Sequence, residues 1–181
     1  MASDPQRERK TSPLVLTLVV LAGFGGVCLV CGGALAALSV SSFQRFEQQS
    51  RAAEADMNLR ALREGITIYA MQEALDSSGA FATHGLPPSL PLTPSTPGAQ
   101  RQTWPTSADP LWRELGLYTD DGVYYAYEVV SDRAAGTITI RVVGDLDGDG
   151  TRSERVLHGR YDAAFATITW DASPTVTDPL E

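Results

Sequence analysis

Residues 11–44 contain no charged side chain, and Arg45 follows them with no proline, turn cluster or linker in between. A helix needs only about 20 apolar residues to cross a bilayer. The run is therefore expected to be a single transmembrane helix with length to spare. Arg7, Arg9 and Lys10 precede it, whereas Arg45, the first cation after it, is followed closely by Glu47. Because Lys and Arg near a span mark its cytoplasmic side, residues 1–10 are expected in the cytoplasm and the bulk of the chain outside it. A cleaved secretory signal is the alternative, with "ALA" at residues 34–36 as the small-residue site. Its apolar stretch is longer than the 7–15 residues usual for such signals. Gly32, Gly33, Ala36 and Ala37 form a small-residue face on which another membrane helix could approach closely.

Both cysteines, Cys28 and Cys31, lie inside this run, so the rest of the chain has no thiol for a disulfide or a metal. The net charge of -8 argues against a nucleic-acid partner, which would need clustered Lys and Arg.

Beyond Gln44 the composition turns polar while the period stays helical. Ala55, Leu59, Leu62, Ile66 and Tyr69 advance by four, three, four and three, one apolar stripe on a helix. Asp56 with Arg60, and Arg60 with Glu64, stand at the spacing of supporting ion pairs on its solvated flank. Residues 45–78 are thus expected to be the exported, amphipathic half of the same helix, ended by "DSSG" with Gly79 beyond its last turn. Residues 79–121 read as a Pro-rich loop region, seven prolines falling between Leu86 and Pro110. Residues 122–131, 136–145, 153–161 and 166–171 are rich in β-branched and aromatic residues and separated by short Gly and Asp connections. They predict a four-stranded antiparallel sheet over 122–171, with Ile138, Ile140 and Val142 on one face and Thr137, Thr139 and Arg141 on the other. Residues 172–181 are expected to be a flexible tail. The fold class that results is α+β: a long N-terminal helix, membrane-spanning in its first half, packed by its second half on the sheet.

"GGALAALSVSSFQRFEQQSRAAEADMNLRAL" resembles the N-terminal helix of type IV pilins and pseudopilins, the likeness resting on Phe43, Arg45, Phe46, Glu54, Ala55, Asn58 and Leu59. "LWRELGL", "YYAYEVV" and "GDLDGDG" are similar to stretches in the globular half of some pilin-like proteins. The resemblance implies a pilin-like fold in the bacterial inner membrane and a non-enzymatic role in a pilus or type II secretion-type apparatus. It also implies membrane lipid and other pilin-like subunits or assembly machinery as partners. Pilins are cut between a glycine and a phenylalanine and carry a glutamate five residues on. Here Gly23 and Phe24 have no basic neighbour and no glutamate follows, so the N-terminal segment is expected to stay uncut.

His84 and His158 sit in no ligand or nucleophile pattern, and no Gly-X-Ser-X-Gly elbow or phosphate loop is present, so no enzymatic activity is expected. "DLDGDG" is the chemically loaded stretch. Asp145, Asp147 and Asp149 at alternate positions, with Gly150 for a sharp bend, match the opening of a calcium loop. Val156 stands where a bidentate Glu would close it, so Thr151 through its carbonyl, Glu154 or water would have to complete the site. The competing expectation is a plain Asp- and Gly-built turn. The functional alternative to the pilin-like subunit is a secreted calcium-binding interaction module freed after Ala36.

Overall fold

The computed structural model of the protein describes residues 46–75 and 81–179. Helix α1 occupies residues 46–71. Its periodic stripe is why it forms here: Ala52, Ala55, Leu59, Leu62, Ile66 and Ala70 are buried, while Met57, Ile68 and Met71 face outward. Each fully buried Leu or Ile contributes about 1.5–3 kcal/mol, enough to outweigh the weak helix propensity of Gly65. That glycine sits where the backbone of Leu115 presses against the helix. At the helix end the open carbonyls are taken up by the chain that returns. Ala70 O accepts the Gly85 N–H at 3.3 Å and Gln72 O the His84 N–H at 2.9 Å. The chain passes into a short antiparallel hairpin of β1 (Glu73–Leu75) and β2 (Phe81–Thr83).

A six-stranded antiparallel sheet follows, made of β3 (Leu90–Thr93), β4 (Ala126–Asp132), β5 (Thr137–Gly144), β6 (Ser153–Asp162), β7 (Thr167–Trp170) and β8 (Thr175–Thr177). The order is β3-β4-β5-β6-β7, and β8 also pairs with β6, beside β7 on the same edge. A four-residue helix, α2 (Leu111–Glu114), lies between β3 and β4. The strand register lines up three rows: Val129, Ile140 and Leu157; Tyr127, Val142 and Arg155; and Gly144 beside Ser153. All of these residues are buried, and with the α1 stripe, Trp112, Leu115 and Leu117 the apolar ones form one core. Gly144 has no side chain because the Tyr125 ring occupies that space, 2.3 Å from where a Cβ would stand.

The structure corrects the expected fold in several places. The four expected strands, β4 to β7, are part of a six-stranded sheet, extended by β3 beside β4 and by β8 beside β7 on β6. Edge strand β3 comes from the segment expected to be irregular loop; an edge position tolerates Pro91, which has no N–H to give a ladder. Edge strand β8 comes from the segment expected to be a flexible tail, and is held by pairing Thr175 to Thr177 with β6. The helix ends at residue 71, not 78, before the "DSSG" stretch, of which residues 76–79 lie outside the described residues. The single long helix is also not what is described: α1 is short and amphipathic, and no helix among the described residues is long and apolar enough to cross a membrane. The expected membrane-spanning half falls on residues 11–44, outside the described residues. The expected ion pairs with Arg60 are not formed either, since Asp56 accepts from Arg155 Nε of β6 at 3.0 Å.

Candidate metal centre

The loop joining β5 to β6 carries Asp145, Asp147 and Asp149, and one carboxylate oxygen from each lies within 4.8 Å of the other two. Local hydrogen bonding sets this convergence. Asp145 Oδ1 accepts the Gly148 N–H at 2.8 Å, Asp147 Oδ1 the Asp149 N–H at 3.1 Å, and Asp149 Oδ1 the Thr151 N–H at 2.6 Å. Gly148 and Gly150 both take positive φ, 78° and 92°, which a residue with a Cβ adopts only under strain. Buried Leu146 roots the loop in the core while Asp147 and Asp149 stay exposed. The Thr151 backbone N–H, and then its hydroxyl, hold the Asp149 carboxyl below its ordinary value.

Three converging carboxylates are oxygen donors of the kind a hard cation takes, and a bound cation would relieve their mutual repulsion. Calcium uses six to eight oxygens, so this triad would supply part of a shell that water completes. Thr151 is in the loop, exposed, with its N–H spent on Asp149. Glu154 is not brought to the triad. It sits in β6 opposite Val143 and Thr177, and its carboxylate accepts from Arg141 Nε on the outer face of the sheet.

The helix residues behind the family resemblance have structural roles. Ala55 and Leu59 are buried. Asn58 Nδ2 donates to Tyr127 Oη at 2.7 Å, and burial pushes the Tyr127 phenol well above its ordinary range. Glu54 Oε1 accepts the Tyr124 N–H at 2.9 Å and its other oxygen lies 3.7 Å from Arg101 Nη2. Burial raises the Glu54 carboxyl above its ordinary value, against the opposing effects of that N–H and of Arg101. These contacts fasten α1 to the loop and sheet at the end nearer residue 46. His84 packs at a tilt against Tyr69, with ring centroids 4.7 Å apart, and His158 Nδ1 lies 2.9 Å from Thr139 Oγ1 on the outer face.

The polar cluster beneath α1 was not readable from the sequence. Arg155 is buried to 3 % exposure between Asp56 and the Tyr125 ring, and Tyr125 Oη, Ser153 Oγ and Arg155 Nη1 are buried with no hydrogen-bond partner among the described residues. Only alternation from Leu157 backwards puts Arg155 and Ser153 on the inner face, and alternation says nothing about how a buried arginine is satisfied. Comparisons of this chain with family models, curated proteins and solved structures find no match.

Proposed function

We propose that this chain is a membrane-anchored, pilin-like structural or accessory subunit of a pilus or type II secretion-type apparatus. Residues 11–44 hold it in a bacterial inner membrane, and the domain formed by α1 and the sheet stands on the far side. One observation carries the reading. Glu54, Ala55, Asn58 and Leu59, four of the seven residues on which the family resemblance rests, help to lock α1 to the globular part through Tyr124, Tyr127 and the core. Partners are then membrane lipid and other pilin-like subunits or assembly machinery, reached through the apolar run. The convergence of Asp145, Asp147 and Asp149 supports weak calcium binding at the β5–β6 loop.

The same triad favours a second reading, a secreted calcium-binding interaction module released after Ala36. Fractionation of native cells separates the two. Retention in the membrane and co-purification with pilin-like subunits after mild crosslinking are expected of the first. Recovery in the soluble fraction without residues 1–36 would replace it with the second.

A further inference from the structure

Between β3 and β4 the chain builds a cleft of about 510 Å³, lined among others by Trp104, Trp112, Tyr118, Asp109, Arg113 and Asp120. This lies within the roughly 300–1,000 Å³ of small-molecule sites. The cleft is firmly built. Gln102 and Val123 exchange backbone hydrogen bonds of 2.7 and 2.9 Å that close the segment, and Trp112, Leu115 and Leu117 root it in the core. Trp104 is half-buried, held edge-on by Trp112 at 5.8 Å between centroids and tilted on Tyr127 at 6.4 Å. Tyr118 is half-exposed, with the Arg113 guanidinium 4.1 Å from its ring centroid.

The polar groups decide what such a cleft takes. Asp109 Oδ1 accepts the Leu111 N–H at 2.9 Å and Asp120 Oδ1 the Tyr118 O–H at 2.5 Å, which orients both carboxylates and leaves each Oδ2 with no protein donor among the described residues. One cation against two carboxylates disfavours an anionic ligand. Arg113 covers one face of Tyr118, and its charge disfavours an ammonium ligand beside it, which leaves the opposite face of the ring for an uncharged one. A Pro-rich peptide offers carbonyl acceptors and no proline N–H, a poor match to carboxylates. A sugar ring has an apolar C–H face for an aromatic shelf and hydroxyl donors for oriented carboxylates.

We propose that this cleft binds a neutral saccharide of one or two rings, stacked on Trp104 and Tyr118 and donating hydroxyls to Asp109 and Asp120. The site goes beyond the subunit role and does not depend on it. The test is tryptophan fluorescence of the full chain, in a detergent without a sugar headgroup, titrated with cellobiose, maltose and N,N′-diacetylchitobiose, and with decaproline for comparison. A saturable change with at least one sugar is expected. Trp104→Ala should weaken it at least tenfold, Asp120→Asn severalfold, and Trp170→Phe, in β7, not at all. Trp104 also packs on the core, so Tyr118→Ala, at a half-exposed ring, serves as a second variant and should weaken binding at least tenfold. No response to any sugar up to about 10 mM, a response unchanged in both aromatic variants, or decaproline binding in place of the sugars would overturn the proposal.

Discussion

Replacing a glycine inside a helix by alanine ordinarily stabilises it by about 1 kcal/mol. At Gly65 the sign should invert. A Cβ built there would lie 2.0 Å from the Leu115 carbonyl oxygen, 2.5 Å from its carbon and 3.0 Å from its Cα. Those atoms are backbone, so no rotamer change can clear them, and Leu115 is fully buried between Trp112 and Leu117. To reach ordinary contact, α1 and the Leu111–Leu117 segment would have to part by about 1 Å or more, opening gaps along the Leu62 and Ile66 contacts. Overpacking of this kind costs about 1–3 kcal/mol, occasionally more, and an immovable partner puts Gly65→Ala at the upper end. After the propensity gain the net loss is about 2 kcal/mol, a fall in Tm of about 5–10 °C. Thermal melts of the full chain by far-UV circular dichroism measure it, with Glu64→Ala on the exposed flank as a control expected within about 0.5 kcal/mol of the parent. A Gly65→Ala protein as stable as the parent, or more so, would refute the packing of α1 against Leu115.

Ile66→Asp places an unpaired charge at a fully buried site and should cost several kcal/mol, whereas Arg63→Asp alters a solvated flank; equal losses in urea melts would mean the stripe does not face the core. Asn58→Ala leaves the buried Tyr127 hydroxyl without its donor and should lose about 1–3 kcal/mol, partly restored by adding Tyr127→Phe; a neutral single variant would discount that bond. Glu54 has its folded pKa raised by burial, so the stability it contributes is present below the ordinary value of 4.5 and is lost as pH rises from there through the raised value. The stability of Glu54→Gln relative to the parent should therefore grow with pH across that window, and a difference that shrinks would contradict the assignment. Millimolar calcium should raise the Tm of the parent but not of Asp147→Ala; identical melts in calcium and in chelator would leave the loop as a turn.

The central strands were legible because alternation and β-branched residues mark them: Ile138, Ile140 and Val142 are buried, and the short Gly and Asp connections turn where their composition says. The edges were not. Pro91 argues against a strand unless the strand is known to lie at an edge, and β8 is three exposed residues after Pro174, too short to show a period. The helical stripe was readable, but its end was not, because the carbonyls there are taken by His84 and Gly85, residues brought back by the hairpin. The aspartate spacing located the acidic loop. Glu154, one of the expected closing donors, is instead turned to Arg141 across the strand pair, a tertiary contact no local spacing encodes. The Trp104 cleft gave no signal at all, since its aromatics are scattered through a segment that reads as loop.

Intact-mass measurement of the protein from separated membrane and soluble fractions of its native host tests the anchored reading most directly. The account predicts, in the membrane fraction, the mass of the chain through residue 1 or 2, with residues 11–44 retained. A mass lacking residues 1–36 in the soluble fraction would contradict it in favour of a secreted module, and a mass beginning at Phe24 would show that the segment is cut as a pilin leader is.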